Sequence, residues 1–365
     1  MKKRMAIWIP GGVGGGYYSQ GIPVISKLID DLCSDFDITI YSLHRPNADF
    51  IPKGYKLYSP GPNVKFLWLR WLILIFWFAK HSVQKRYQIL YAFWGYPAGV
   101  IATTLAKLFR ASSVIHLQGG DAVFIPSIQY GSLSGAKEKI IRWAYSQCTM
   151  LIALTEFQKE KLISWNLNRR VEVIPFGVDV DLFKSKGNCN IHNPLHFLHV
   201  GNLVSVKDQK TLLDAFSMIE KEIPATLRMI GEDHLGGSVQ AYCKYLNLES
   251  KVTFIPIQSY KDMSNHYEWA DVLLHTSLFE GQCMAISEAT ASGVLIAGTR
   301  VGILSDWGET CGIVVEIRDS SSLARQVLDI LNKQDEIKQR IRQAQAQVKT
   351  RTWTSERIKE SLNSV

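Results

Sequence analysis

The chain of 365 residues has no CxxC pair; its six cysteines, Cys33, Cys148, Cys189, Cys243, Cys283 and Cys311, are scattered. Neither a disulfide framework nor a cysteine-rich zinc site is indicated, and a reducing compartment is the simpler setting. A signal-peptide core is also missing, because the apolar run after the basic start MKKR breaks at Pro10 and the glycines beyond it. A cytoplasmic protein is therefore expected. No apolar stretch reaches the roughly 20 residues a spanning helix needs. FLWLRWLILIFWFA, residues 66–79, is interrupted by Arg70 and reads as a core helix or as one lying on a membrane surface. Acidic residues are scarce in the first half only: residues 1–180 hold 11 Asp and Glu against 21 Lys and Arg, and residues 181–365 hold 22 against 20. That asymmetry points to an anionic partner for the first half. Lys65, Arg70, Lys80, Lys85 and Arg86 interleave with Trp68, Trp71 and Trp77, a pattern that favours an anionic membrane surface over nucleic acid.

What is present is the composition of a folded protein, 47% hydrophobic and 20% charged, long enough for two domains. Short apolar runs alternate with amphipathic stretches throughout. MAIWIP, DITIYSL, QILYAF, SVIHLQ, MLIALT and VEVIPF read as strands of a first half. LHFLHVGN, ATLRMIGE, KVTFIPI, ADVLLHTS and VLIAGT read as strands of a second. Helical sequence lies between them, ending in a run from about Ser321 to Val348, so each half is expected to be a doubly wound parallel sheet. No repeat with a period of 20–50 residues is visible. Pro175–Pro194, rich in Pro, Gly, Asn and Asp, is the natural linker. The expected division is 1–176, a linker 177–194, 195–345, and a C-terminal segment 346–365.

Open parallel sheets bind ligands beyond the carboxyl ends of their strands, which directs attention to the loops there. GGVGGG, Gly11–Gly16, follows the first strand and precedes a helix, where backbone amides can receive an anion. It matches neither GxGxxG nor a P-loop, and the second strand ends in Tyr41-Ser42-Leu43-His44 where a ribose-binding acid would be needed. A nicotinamide-dependent oxidoreductase is thereby disfavoured. GNLVSVKDQ, Gly201–Gln209, places Lys207 just before a helix, where an ammonium can meet a phosphate. LFEGQCMAISEA sets Glu280 and Glu288 eight residues apart. On one helix they would stand about 12 Å apart, too far for a glycosidase pair. Gly281 instead leaves Glu280 in the loop and starts the helix near Cys283. On spacing alone, the flank of a phosphate site and two solvated glutamates fit equally.

LFEGQCMAISEATASG resembles the E-x7-E signature of retaining GT-B glycosyltransferases of the family-4 type, common in bacterial polysaccharide and lipopolysaccharide synthesis. VIPFGVDVDLF, FLHVGNLVSVKDQKTLLDAF, LRMIGE, VTFIPI, ADVLLHTSLFEG and GVLIAGTRVG follow the family order. The resemblance implies a GT-B fold, two Rossmann-like domains facing each other across a cleft. The first would bind the acceptor and the second the donor, with the C-terminal helix packing back on the first. It assigns Glu280 and Lys207 to catalysis. Gly15, Gly16, Asn202, Lys207, Gln282, Cys283, Met284, Ala285 and Glu288 would bind the nucleotide sugar. His116, Gln118 and Asp121, from HLQGGDAVF, would stand on the acceptor side. UDP is the expected nucleotide, with no metal or other cofactor. The partners implied are the nucleotide sugar, a saccharide or lipid-linked acceptor and an anionic membrane surface, with no nucleic acid. Two departures stand out: Asn202 occupies a position where many members carry Arg, and Gln118 takes the place of the family histidine. They motivate the alternative of a catalytically silent sugar- or partner-binding protein.

Overall fold

The apolar runs become strands buried on both faces, as a parallel sheet covered by helices requires. In the computed structural model, which describes residues 2–15, 21–165, 167, 169–187 and 192–365, the chain divides into two compact units. One is Met1–Pro175 with Arg351–Val365, the other Phe176–Thr350.

The first unit carries strands β1 (Lys3–Ile9), β2 (Phe36–Ser42), β3 (Lys56–Tyr58), β4 (Ile89–Phe93), β5 (Ser112–His116), β6 (Phe124–Ile125), β7 (Tyr130–Gly131), β8 (Met150–Ala153) and β9 (Arg170–Val173). Seven of them form a parallel sheet in the order β3-β2-β1-β4-β5-β8-β9, and β6 and β7 make a small antiparallel pair. Its helices are α1 (Pro23–Leu32), α2 (Leu67–Gln84), α3 (Val100–Phe109), α4 (Gly135–Gln147) and α5 (Glu156–Ile163). Helix α1 starts with Pro23, whose missing N–H costs nothing in a first turn, and buries Ile25, Leu28, Ile29 and Leu32 at helical spacing. Thr155 caps α5 by accepting from the amide of Gln158 at 3.1 Å.

Helix α2 packs through Trp71, Leu74 and Phe78 against Trp8 and Tyr41 of the sheet, with Trp8 stacked on Tyr41 at 4.9 Å. Only part of the 66–79 run is therefore core, because Trp68, Leu72 and Phe76 are exposed. Among the described residues no helix is long and apolar enough to cross a membrane.

The second unit holds β10 (Leu195–Val200), β11 (Ala225–Ile230), β12 (Val252–Ile255), β13 (Val272–His275), β14 (Leu295–Thr299) and β15 (Ile313–Val315), all parallel in the order β12-β11-β10-β13-β14-β15. Neighbouring residues of one strand point to opposite faces. Phe197 accordingly enters the cluster with Leu212 and Phe216, whereas Leu198 joins the one with Tyr267 and Ile286. The helices are α6 (Gln209–Glu222), α7 (Ser238–Tyr245), α8 (Met263–Trp269), α9 (Met284–Ala291), α10 (Gly302–Trp307), α11 (Ser320–Leu331) and α12 (Gln334–Gln347). The single C-terminal helical run is thus two helices, parted at Asn332-Lys333.

Two boundaries differ from the sequence reading. Residues 177–187, expected as linker, pack into the second unit: Val178 and Phe183 are buried, with Phe183 edge-on to Tyr260 and Tyr267. Residues 188–191 of the same linker lie outside the described residues. The C-terminal segment divides at Thr350, and α13 (Arg351–Asn363) belongs to the first unit. Ile358 and Leu362 of α13 are fully buried, Lys359 pairs with Asp35 at 2.6 Å, and Thr354 donates to the carbonyl of Pro175 at 2.8 Å.

Candidate active site

Strand order in the second sheet reverses between β10 and β13, whose carboxyl ends lie side by side. Such a switch point is where doubly wound sheets hold ligands. The loop after β10 carries Gly201, Asn202 and Lys207; the loop after β13 carries Thr276, Ser277 and Glu280. Lys207 ends a short 3-10 turn, and its carbonyl accepts from Thr276 Oγ1 at 3.1 Å, which ties the two loops together. A Cβ on Gly201 would lie 3.2 Å from the Lys207 side chain, so the glycine leaves the lysine stem its path.

The Glu280 carboxylate gathers three partners on Oε1: Lys207 Nζ at 2.7 Å, Ser277 Oγ at 2.7 Å and His275 Nε2 at 3.4 Å. Burial by itself would raise the Glu280 pKa; the Lys207 ammonium and then the His275 imidazole outweigh it and hold the group well below the usual carboxylate range. Burial likewise opposes a charge on His275, but the adjoining Cys283 sulfur and the Glu280 carboxylate push it up to about 9. His275 reaches Cys283 Sγ through Nδ1 at 3.7 Å. Cys283, His275, Glu280 and Lys207 thus form one buried chain of polar contacts. His275 faces Cys283 through Nδ1 and Glu280 through Nε2, and one donor atom from each of the three residues lies within 4.8 Å of the others.

Helix α9 begins at Met284, with Cys283 as its cap in the left-handed region at φ 76°. A non-glycine residue held there marks local strain, which collects at functional sites. As at any helix start, the first amides, Met284 and Ala285 among them, lack intrahelical acceptors and carry the positive end of the helix dipole. Lys207, Glu280 and this helix start come from the loops the sequence singled out, and the second unit brings them together. Gly302 supports the arrangement: at φ +54° it packs so closely that a Cβ would lie 2.8 Å from Glu280 Cβ.

Other expected residues have structural employment. Asn202 Oδ1 accepts from the amide of Glu232 at 3.1 Å, and its carbonyl from Gln209 Nε2 at 3.0 Å, so this residue pins the loop to the end of β11. Gln282 turns its amide away and clasps the backbone of Phe176, accepting from its N–H and donating to its carbonyl, each at 2.8 Å. Glu288 is buried on α9 and accepts from Tyr267 Oη at 2.8 Å.

In the first unit, Gly15 stands after β1 at φ +97°, with Asn47 filling the space a Cβ would need; Gly16 lies outside the described residues. His116 is fully buried, bonded through Nδ1 to Tyr91 Oη at 2.7 Å, and burial lowers its pKa to about 3. Asp121 accepts from the amides of Gly95 at 3.0 Å and Gln118 at 2.7 Å, and the Gln118 carbonyl accepts from Gln158 Nε2. Burial raises Asp121 to about 6 against those two amide bonds. Asp121 and Gln118, two of the residues expected on the acceptor side, thus brace the turn after β5, while the His116 ring ties β5 to Tyr91 of β4.

His275 and Ser277 were missed in the sequence. Their signal was position, the last strand residue and the second beyond it, at the carboxyl end where ligand-facing groups collect. Two Asp-x-Asp triplets, Asp35-Phe36-Asp37 and Asp179-Val180-Asp181, occur in the chain. Asp35 is bound to Lys359, and Asp179 accepts from the amide of Leu182 at 3.3 Å. His192, His196 and Asp271 also come together, with Asp271 accepting from His192 Nδ1 at 2.7 Å and from the His196 amide at 2.8 Å.

Two parallel-sheet units, with a cationic and helix-dipole site at the switch point of the second, define a sugar-nucleotide transferase of the GT-B class. The family described as "Glycosyltransferase Family 4" matches residues 25–182, and "Glycosyl transferases group 1" matches residues 183–348. The chain belongs to the family-4 type of GT-B glycosyltransferases, and its chemistry is glycosyl transfer from a nucleotide sugar. N-acetyl-alpha-D-glucosaminyl L-malate synthase of Bacillus anthracis is 26% identical over 271 residues, covering 70% of this chain and 68% of the relative. Among solved structures, sucrose-phosphate synthase of Thermosynechococcus elongatus aligns with a TM-score of 0.85 at 16% identity, over 100% of this chain and 99% of that one. The Anabaena protein Alr3699/HepE in complex with UDP aligns with a TM-score of 0.78 at 19% identity over 100% of both chains.

Proposed function

We propose that the chain transfers a hexose from a UDP-sugar, with retention at the anomeric carbon, to a saccharide or lipid-linked saccharide in cell-surface polysaccharide synthesis. The cationic excess of the first half, 21 Lys and Arg against 11 Asp and Glu in residues 1–180, supports a lipid-linked acceptor at an anionic membrane surface. The observation that carries the reading is the Lys207–Glu280 pair beside the start of α9. As the glycosidic bond breaks, negative charge grows on the departing diphosphate. The Lys207 ammonium and the amides of Met284 and Ala285 supply fixed positive potential there, worth most in a partly dry site. Glu280 orients Lys207 and faces the donor sugar, and Glu288 accepts from the ribose hydroxyls. UDP is favoured among nucleotides because Alr3699/HepE has been solved with UDP and with UDP-glucose.

The test is turnover of a panel of UDP-, GDP- and ADP-sugars with saccharide acceptors, the anomeric outcome being read by NMR. Lys207→Met and Glu280→Gln should each lower kcat by about 100-fold or more, the loss seen when a charge-stabilising partner leaves an active site. Full activity in both variants would remove the proposed machinery. Donor binding without turnover in the wild type would establish the silent alternative.

A further inference from the structure

Helix α2 is apolar on both faces: Trp71, Leu74 and Phe78 pack on the sheet, and a second apolar row faces outward. Of its Lys and Arg residues, Arg70 points inward, 9% exposed, and Lys80 outward, while Trp68, Leu72 and Phe76 point outward at 63%, 52% and 67%. Arg70 is not stranded: Nε donates to the carbonyl of Leu43 at 2.8 Å, and the terminal nitrogens donate to Pro60 at 3.1 Å, Val64 at 3.1 Å and Gly61 at 3.3 Å. The one charge that seemed to break the apolar run is thus spent on four backbone acceptors, and the outer face of the first turns is left wholly apolar. Trp68, Leu72, Phe76, Lys80 and Val83 follow one another at spacings of four, four, four and three, which keeps them on a single stripe. Phe66, 64% exposed, extends the stripe before the helix, with its ring 6.2 Å from Trp68.

The rim of this stripe is basic. Between Asp49 and Asp121 the chain carries nine Lys and Arg and no Asp or Glu. Lys65, Lys80, Lys85 and Arg86 are exposed at the two ends and along the helix, with Lys85 partly neutralised by Asp37 at 3.6 Å. A contiguous apolar patch of this kind marks an interaction surface. Its cationic rim disfavours a second copy of the same face, which would bring like charges together, and fits an anionic lipid surface. There Trp and Leu side chains enter the acyl boundary while lysines reach the headgroups.

We propose that α2 lies in the plane of an anionic bilayer surface and docks the first unit there by inserting Trp68, Leu72 and Phe76, with Lys65 and Lys80 on the headgroups. This deepens the membrane element of the function proposed above. Its readout needs no turnover, so it fails separately from the transferase reading.

The test is flotation of the full-length chain with vesicles of phosphatidylcholine mixed with phosphatidylglycerol, and with phosphatidylcholine alone. The wild type should float with the mixed vesicles at low salt and much less with the neutral ones. The triple variant Trp68→Ser, Leu72→Ser, Phe76→Ser, and separately Lys65→Glu with Lys80→Glu, should each weaken that partition by about tenfold or more. The far-UV circular dichroism spectrum and the cooperative melt without ligand should match those of the wild type, which shows that the variants are folded. The charge-reversal pair keeps the test alive if the serine variant is unstable. Absence of wild-type flotation, or equal flotation of wild type and both variants, overturns the proposal. So does conversion of a dimer to a monomer in the serine variant with unchanged flotation, which would make the face a subunit contact.

Discussion

Glu280 and His275 set each other's protonation, and this gives the second unit a pH signature. Folding raises His275 from 6.5 to about 9. The folded state therefore holds an extra proton between those values, and its stabilisation is complete below pH 6.5 and lost as pH rises through about 9. Folding lowers Glu280 from 4.5, so its contribution is present above pH 4.5 and lost as pH falls toward the depressed value. The two overlap fully between pH 4.5 and 6.5. His275→Gln keeps a hydrogen-bonding group but removes the titration on the alkaline limb. In urea unfolding, the deficit of this variant relative to wild type should shrink by about 3 kcal/mol between pH 6 and pH 9.5. A deficit that stays constant across that range would mean that His275 is neutral in the folded protein. The same residue shows what sequence could not convey. Glu280 and Lys207 stand out because a carboxylate beside glycine and a lysine before a helix are visible as text. His275 and Ser277 become functional only when parallel pairing of β10 with β13 sets the two loops side by side. The side-chain partners of Asn202 and Gln282 were equally invisible, because the Glu232 amide and the Phe176 backbone they bond are 30 and 106 residues away in sequence.

At the level of elements, strands were the most legible feature, because buried parallel strands need unbroken apolar runs and few other segments have them. What escaped were β3, β6, β7 and β15, each of two or three residues and too short to establish a period. Helix α2 was half legible: length excluded a span, but which face turned inward depended on carbonyls of residues 43–64 collecting around Arg70, a tertiary fact. Helix α13 is polar along most of its sequence and carries little periodic signal, yet it closes the first unit with Ile358 and Leu362 fully buried and with ion pairs from Lys359 to Asp35 and Arg351 to Asp31. Deleting three methylene-scale groups from a site of that burial costs about 3 kcal/mol, by lost transfer energy and residual cavity. Ile358→Ala should therefore speed hydrogen exchange in β1, β2 and α1, as measured by mass spectrometry of peptides, while peptides from β10 to β15 keep their wild-type rates. Unchanged exchange in β1 and α1 would show that the last helix is not part of that unit's cooperative structure.

For the molecule as a whole, two sheets of the same winding carry different electrostatic equipment. The first unit holds the cationic excess and the outward apolar stripe of α2. The second holds the ammonium–carboxylate pair and the start of α9 at its switch point. A nucleotide that binds only the folded second unit stabilises it by mass action, by about 2.7 kcal/mol at a ligand concentration of 100 times Kd. Amides of β10 and β13 that exchange only by unfolding of that unit should then slow by roughly 100-fold in saturating UDP. Amides of β4 and β5, in the first unit, should keep their rates. Lys207→Met should abolish most of the slowing; because it also removes the main counter-charge of Glu280, at 2.7 Å, the comparison is made within the variant, with and without UDP. If β10 and β13 exchange at the same rate with and without UDP, and likewise with GDP and ADP, the positive site formed by Lys207 and α9 has no nucleoside diphosphate to receive, and the donor assignment falls with it.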